Sequence, residues 1–142
     1  MAEASSEYRR PLPRRQGYAR GFYEFCRKHE LRFQRCADCG TWRHIPRDMC
    51  ANCGSFRAEW AKSSGRGKVF SWTTVMQPML PQFADVPYSP VIIELEEGVR
   101  MLSFVVNVKP DELAIDMPVE VSFDDVTAEV TLPKFKRVAI GV

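Results

Sequence analysis

The chain has 142 residues, a formal net charge of +2 and 45% apolar residues, which fits one compact domain or two small modules that share a core. No apolar run approaches the roughly 18 residues of a membrane-spanning helix, and the N-terminus lacks the apolar segment of a secretory signal. We therefore expect a cytoplasmic protein without a membrane partner. The charge is uneven, because residues 1–62 hold 13 basic and 7 acidic residues, whereas residues 63–142 hold 7 and 11.

The first part of the chain is predicted to be an arm followed by a helix. Residues 1–16 contain two prolines and four arginines without apolar periodicity, which predicts a flexible basic arm. The next residues have the apolar spacing of an amphipathic helix that ends near His29. Cys26 lies on the apolar face of this helix, so we interpret it as a packing cysteine and not a nucleophile. That face holds Ala19, Phe22, Tyr23 and Cys26.

The other four cysteines form two Cys-x2-Cys pairs separated by ten residues. A gap of two residues lets one tight turn present two thiolates to a single ion, and four thiolates are a common ligand set of structural zinc. Gly40 and Gly54 follow the second cysteine of each pair, where such a turn needs a positive φ. We predict a closed structural Zn2+ site, with rubredoxin-type iron as the alternative for the same ligands. The predicted ligands are Cys36, Cys39, Cys50 and Cys53.

Residues 63–142 have the patterning of a small β domain. The glycine-rich break at residues 63–67 marks its start, and short segments of alternating polarity follow, each bounded by turn residues. Five such strands predict a small barrel. The predicted strands are 68–77, 90–96, 100–108, 118–124 and 127–132.

The segment between the first two predicted strands is a long loop, rich in proline and apolar residues. A loop of this length is unusual in a compact domain, and it either folds over the end of the barrel or binds a partner. Both interpretations stay open. The candidate partner-binding residues are Met79, Leu80, Phe83 and Tyr88.

No catalytic motif stands out in the sequence. There is no glycine-rich phosphate loop, no nucleophile elbow and no metalloprotease motif, and a metal with four protein ligands has no open position for substrate. His44 lies inside the ribbon loop and is interpreted as a surface side chain. The acidic pairs at residues 96–97 and 124–125 are expected to keep strand ends soluble. We therefore expect the chain not to be an enzyme by itself.

The order of these motifs resembles the DUF35 family. The resemblance runs from about Tyr18 to Val138 and rests on the four-cysteine ribbon, on Ser64–Trp72 and on Leu132–Phe135. It implies a mainly β fold, in which an N-terminal helix and rubredoxin-like zinc ribbon (residues 17–62) precede a five-stranded OB-fold barrel (residues 63–142). Asp116 departs from the pattern, because a glycine is usual there.

Members of this family are associated with acyl-CoA metabolism. The resemblance implies a non-catalytic subunit that partners a thiolase-fold enzyme, for example a benzoylsuccinyl-CoA thiolase, and assists in binding the CoA thioester. An accessory role in a MaoC-type hydratase or aldolase complex is the alternative. The phosphates of CoA need arginine or lysine partners, and the candidates are Arg20, Arg27, Arg32 and Arg35.

Binding of single-stranded nucleic acid is a second alternative, because zinc ribbons and OB-folds are common in such proteins. A single-strand site needs a positive groove and exposed aromatic side chains. The second and third predicted strands and the turn between them instead hold three glutamates and one aromatic residue, Phe104. We expect no nucleic-acid partner.

Overall fold

The computed structural model describes residues 8–139. Residues 1–7 of the predicted arm and residues 140–142 of the predicted barrel domain lie outside this range. The remaining arm, residues 8–16, forms neither helix nor strand, but two of its arginines contact the β domain. The Arg10 guanidinium lies 4.9 Å from the ring centre of Phe83, and Arg15 Nη2 donates to Glu129 Oε2 at 3.2 Å. The flexibility of the arm stays a prediction.

Helix α1 spans Tyr18–Arg27 and buries Phe22 and Cys26, as its apolar spacing predicts. His29 follows the helix with a φ of 58°. Its Nε2 lies 3.0 Å from Asp125 Oδ1, and its ring stacks on Phe123 with centres 5.1 Å apart. The end of the helix is thereby held against the β domain. Neither α1 nor any other helix within residues 8–139 is long and apolar enough to cross a membrane.

The ribbon is a three-stranded antiparallel sheet in the order β2-β1-β3. The central strand pairs with β2 along one edge and with β3 along the other. The turn between β1 and β2 carries the first cysteine pair, and the longer segment between β2 and β3 carries the second. The strands are β1 (Arg32–Cys36), β2 (Trp42–Arg43) and β3 (Ala58–Lys62).

The β domain is a six-stranded sheet in the order β6-β5-β4-β8-β9-β7. Strands β6 and β7 follow each other in the chain and stand at opposite ends of this order, which makes the sheet curl into an OB-like barrel. Two single-turn 3-10 segments, Pro81–Phe83 and Pro110–Glu112, lie in the loops. The strands are β4 (Arg66–Trp72), β5 (Val91–Leu95), β6 (Arg100–Ser103), β7 (Val105–Val106), β8 (Pro118–Asp125) and β9 (Thr131–Arg137).

The predicted mainly β fold with its helix, ribbon and barrel is confirmed, but three strands differ from their predicted extents. The first predicted strand, 68–77, corresponds to β4, which ends at Trp72. The third predicted strand is interrupted at Phe104, because β6 pairs with β5 whereas β7 pairs with β9. The last strand begins four residues later than predicted, because Thr127 closes a turn with Val130. It then runs through Pro133, where we had expected it to end.

One apolar core serves both parts of the molecule. Phe22, Leu31 and Phe33 from the helix and ribbon belong to the same buried cluster as Ile93 and Phe135 from the barrel. Burial of this cluster holds the ribbon and barrel together, since apolar surface removed from water is the main favourable contribution to folding.

Candidate metal centre and apolar groove

The four ligand cysteines come together at the tip of the ribbon. Their sulfur atoms all lie within 4.8 Å of one another, with 3.6 Å between the sulfurs of Cys36 and Cys53 and 3.6 Å between those of Cys39 and Cys50. A tetrahedral ion with Zn–S bonds of about 2.3 Å needs sulfurs a little under 4 Å apart. The cluster therefore fits one tetrahedral metal ion.

The two cysteine pairs repeat one local backbone conformation. The N–H of Gly40 donates to the carbonyl of Cys36 at 3.0 Å, and the N–H of Gly54 donates to that of Cys50 at 2.9 Å. Both glycines have positive φ, 77° and 76°, as the sequence predicts. The first cysteine of each pair is buried and the second is exposed.

Hydrogen bonds to Cys39 favour its thiolate form. The hydroxyl of Thr41 lies 3.1 Å from Cys39 Sγ and the amide of Asn52 lies 3.6 Å from it, and they lower the pKa of this thiol to about 5. Asp38 lies within the first pair and accepts from Ser55 and Arg57, which follow the second pair. These contacts lower the pKa of its carboxyl to about 2. This ion pair ties the two cysteine turns together.

A second feature is an apolar groove of about 590 Å3 between the ribbon, the helix and the barrel. Its walls come from segments that are distant in the chain: the arm, helix α1, the ribbon loop, the long loop and strands β6 and β9. Only Arg10 and Lys134 contribute charge among its described lining residues. Its phenylalanine and tyrosine side chains are Tyr8, Phe22, Tyr23, Phe83, Tyr88 and Phe104.

His44 lines this groove, and the prediction that it is a surface side chain is wrong. Its ring packs against Phe22 and Phe33, with ring centres 5.2 and 5.3 Å apart. Burial lowers the pKa of His44 to about 4, so the imidazole is neutral near pH 7. Its Nδ1 is buried without a hydrogen-bond partner in the described structure.

Cys26, the thiol outside the ribbon, is fully buried, and burial raises its pKa to about 12. A thiol needs thiolate character and access to act as a nucleophile. The interpretation of Cys26 as a packing residue is therefore confirmed.

Two family models match the chain, the ChsH2 rubredoxin-like zinc ribbon domain over residues 24–59 and the ChsH2 C-terminal OB-fold domain over residues 60–124. A DUF35 domain-containing scaffold protein of Pyrococcus furiosus is 33% identical over 102 residues, which cover 72% of this chain and 74% of that protein. The chain belongs to the DUF35 family.

Two further proteins similar to this DUF35 chain are named as part of an enoyl-CoA hydratase and of an aldolase. A probable enoyl-CoA hydratase alpha subunit of Thermomonospora curvata is 36% identical over 115 residues, 81% of this chain. The chain spans only 36% of the length of that subunit. Among solved structures, the Ltp2-ChsH2(DUF35) aldolase contains a chain that superposes with a TM-score of 0.79 at 35% identity, covering 90% of this chain and 98% of that one.

The four arginines proposed for CoA phosphates do not converge in this DUF35 structure. Arg20 and Arg27 are exposed on the helix, and Arg27 lies 3.9 Å from Glu24. Arg32 pairs with Glu30 at 3.2 Å. Arg35 donates to a backbone carbonyl on the ribbon. None of the four lines the groove, and their role in CoA binding stays a prediction.

The candidate residues of the long loop divide into two groups. Phe83 and Tyr88 face the groove, with ring centres 5.9 Å apart. The ring centres of Tyr88 and Phe104 are 6.1 Å apart. Met79 is 79% exposed and Leu80 50% exposed. The loop therefore lines the groove with some side chains and presents others to solvent, and partner binding by these residues stays a prediction.

The sequence placed the junction between ribbon and barrel at residues 63–67 but did not predict which side chain holds it. Glu97 was expected to keep a turn soluble, but its Oε1 accepts from the hydroxyl of Ser63 and from the N–H of Ser64, the latter at 3.1 Å. The N–H of Gly65 in turn donates to Ser63 Oγ at 3.0 Å. Glu97 thereby fixes the peptide that joins the two parts of the chain. The sequence feature that could have indicated this contact is the pair of serines before Gly65.

Proposed function

We propose that the chain is a zinc-stabilised, non-catalytic subunit of a complex that processes acyl-CoA thioesters, and that it partners a thiolase-fold enzyme and assists in binding the thioester. The observation that carries the accessory role is the match with a chain of the Ltp2-ChsH2(DUF35) aldolase, which covers 98% of that chain. The thiolase-fold partner rests on the family resemblance alone. The names of the hydratase and scaffold relatives support the same accessory role.

The metal is proposed to be a structural zinc ion. Four thiolates close its coordination sphere, which leaves no position for water or substrate. The spacing of the sulfurs and the hydrogen bonds to Cys39 support this ligand set. When bound, the ion would cross-link the two cysteine turns and thereby stabilise the ribbon.

The described side chains support a non-catalytic role. Within residues 8–139, the thiol outside the metal cluster is buried and protonated. His44 packs between phenylalanine rings, and its buried nitrogen has no carboxylate partner to orient it. A nucleophile needs a base within hydrogen-bond reach, and these two groups do not supply one. The reacting groups are therefore assigned to the partner.

The exposed part of the long loop is the proposed docking surface for the partner. Met76, Met79 and Leu80 are all at least half exposed, and burying apolar surface contributes about 25 cal/mol per Å2 before the costs of association. Three large side chains on one loop would therefore contribute to docking when a partner covers them together with neighbouring surface.

Co-expression tests the proposal. The chain would be produced with thiolase-fold and with MaoC-type hydratase genes from its own gene neighbourhood, and complexes would be measured by light scattering after size exclusion, followed by thiolysis and hydration assays. We expect a stable complex whose activity needs both chains. Met79→Asp should weaken it about tenfold or more, whereas Ile115→Asp, another exposed apolar site at 62%, should not. Full activity of the partner alone would contradict the proposal.

A complex with the hydratase and not with the thiolase-fold enzyme would keep the accessory role and reject the thiolase partner. Thioester turnover by this chain alone would reject the non-catalytic role.

A further inference from the structure

The apolar groove has the size and composition of a small-molecule site. Its volume of about 590 Å3 lies within the roughly 300–1,000 Å3 of ligand pockets in proteins, which are mostly apolar and carry a few polar groups. Because its walls come from six separate segments, the groove is held in shape by the whole fold and not by one loop. These features fit a bound small molecule.

Two groups of aromatic rings line the groove. On the helix, the ring centres of Phe22 and Tyr23 are 5.2 Å apart. On the barrel side, the ring of Tyr88 lies between those of Phe83 and Phe104, at 5.9 and 6.1 Å. All of these rings except that of Phe22 are only half-buried, so they keep apolar surface that a ligand can cover. Aromatic rings pack favourably on other aromatic rings, which favours a ligand that contains one.

The charges around the groove balance one another. Lys134 Nζ lies 2.5 Å from Asp124 Oδ2, and the Arg10 guanidinium stacks on Phe83. Arg10 also lines a neighbouring polar hollow, where carboxylates offset its charge. The charged residues of this hollow are Arg9, Arg10, Asp85, Asp124 and Asp125. The two arginines and Lys134 thus stand beside three carboxylates, and this balance favours an uncharged ligand.

His44 brings a hydrogen-bond donor to the groove. Its imidazole is neutral near pH 7, because burial lowers its pKa, and a neutral imidazole carries one proton. Nδ1 is buried without a partner, whereas Nε2 stays accessible and bonds to no described residue. A buried N–H without an acceptor is rarer in proteins than a buried acceptor without a donor, so we assign the proton to Nε2. His44 therefore offers an N–H to a ligand that carries an acceptor.

The hydroxyl of Tyr23 is a second donor in the groove. Tyr23 and His44 pack on the same ring, that of Phe22, and burial raises the pKa of Tyr23, which keeps its hydroxyl protonated. This hydroxyl forms no hydrogen bond with a described residue and is accessible. A carbonyl oxygen has two lone pairs and can accept from two donors. The uncharged polar groups of the groove therefore match a carbonyl group.

We propose that the groove binds a small, uncharged aromatic molecule whose carbonyl oxygen accepts hydrogen bonds from His44 and Tyr23. The apolar walls supply affinity, and the two donors fix the orientation of the ligand. The site lies within this chain and needs no partner. Where the proposed function holds, the ligand is the aromatic acyl part of a thioester, and that clause alone rests on the proposed function.

Titration of the full zinc-loaded chain with benzylacetone tests the site. This ketone is uncharged and joins a phenyl ring to a carbonyl group. We expect saturable binding with a dissociation constant in the millimolar range or tighter, and nuclear magnetic resonance should show shifts of backbone amides confined to the groove. Absence of saturable binding, or shifts spread outside the groove, would overturn the inference.

Two variants test the donors. His44→Phe and Tyr23→Phe each keep an aromatic ring and remove the polar atom. Each should weaken the binding of benzylacetone about fivefold, as loss of one uncharged hydrogen bond does. Neither should change the affinity for butylbenzene, which has the ring and no carbonyl. Equal effects on the two probes, or no effect on benzylacetone, would reject the match to a carbonyl.

A filled groove tests the location. Ala19 lines the groove from a half-buried position on α1, so Ala19→Trp should weaken the binding of both probes about tenfold or more. Ala114→Trp is the control, because Ala114 is exposed and lies outside the groove. Binding that survives Ala19→Trp would place the probes elsewhere and overturn the inference.

A charged probe tests the class of ligand. Hydrocinnamate carries a carboxylate in place of the ketone and should bind about tenfold more weakly than benzylacetone, because its charge loses water without gaining a free cation. Tighter binding that Arg10→Gln abolishes would assign the groove to an anion and overturn the proposal.

The outcome for this site is distinct from that for the proposed function. A chain that binds benzylacetone but forms no complex with an acyl-CoA enzyme would keep the site and remove the proposed function. A chain that forms the complex but binds no probe would keep the proposed function and overturn this inference.

Discussion

Cys39 has the densest set of polar partners among the ligand cysteines, and its replacement tests the metal site most directly. Cys39→Ser removes one of four thiolates, and metal binding at small zinc modules contributes folding free energy of about 10 kcal/mol. We expect loss of bound zinc and an unfolded ribbon, measured by metal analysis and circular dichroism. Cys26→Ala is the matched control, since it removes the buried thiol outside the cluster and should keep one zinc per chain. A Cys39→Ser protein with full zinc content would refute the assignment.

His44 predicts a pH dependence of stability. Its folded pKa of about 4 lies below the value of about 6.5 in an unfolded chain. Between these values the unfolded state binds more protons, so the free energy of unfolding should be constant above about pH 6.5 and fall as the pH decreases towards 4. The loss has an upper limit of about 3 kcal/mol.

The matched variant is His44→Phe, which keeps an aromatic ring beside Phe22 and Phe33. The free energy of unfolding of both proteins would be measured with urea between pH 4.5 and 7.5. It should decrease less steeply with falling pH in the variant. Equal slopes would show that other groups cause the acid sensitivity.

Among the secondary-structure elements, the junction between β3 and β4 carries the next prediction. Glu97→Ala removes the acceptor of Ser63 and Ser64 and leaves the buried hydroxyl of Ser63 without an acceptor, which costs about 1–3 kcal/mol. Glu96→Ala is the control, because Glu96 is exposed and its contacts with Ser64 and Arg66 lie at the surface. Denaturant unfolding should show a much larger loss for Glu97→Ala. Equal losses would mean that the junction does not depend on this carboxylate.

The elements show which features of this chain are predictable from its residues. The metal ligands were predictable, because the Cys-x2-Cys turn is local and its glycines mark the required φ. The interruption at Phe104 was not predictable, because it depends on tertiary pairing: the residues before Phe104 pair with β5 and those after it pair with β9. Pro133 was expected to end a strand, because the direction in which its nitrogen points depends on the register with β8. The groove combines six segments, and no local pattern indicates such a site.

For the whole molecule, we expect no binding of single-stranded DNA or RNA at physiological salt. Phe70 is the aromatic residue on β4 that is more than 40% exposed. The Arg100 guanidinium lies 3.8 Å from the centre of its ring, and Arg100 in turn pairs with Glu94 at 3.0 Å. This surface offers neither a free stacking platform nor a free cation. Fluorescence anisotropy with a labelled oligonucleotide checks the prediction. Submicromolar affinity that falls steeply with salt would contradict it.

The shared core has a consequence for how this protein can be inherited. The two family models meet between residues 59 and 60, but this point lies inside β3, which pairs with β1 along its whole length. A gene fragment that encodes either half would lack the part of the shared core that the other half contributes, for example Phe135 for the ribbon and Phe33 for the barrel. The ribbon and the barrel should therefore move between genes as a single cassette. A fusion that places the intact cassette beside an enzyme domain preserves both the metal site and the barrel, whereas shuffling of one half alone preserves neither.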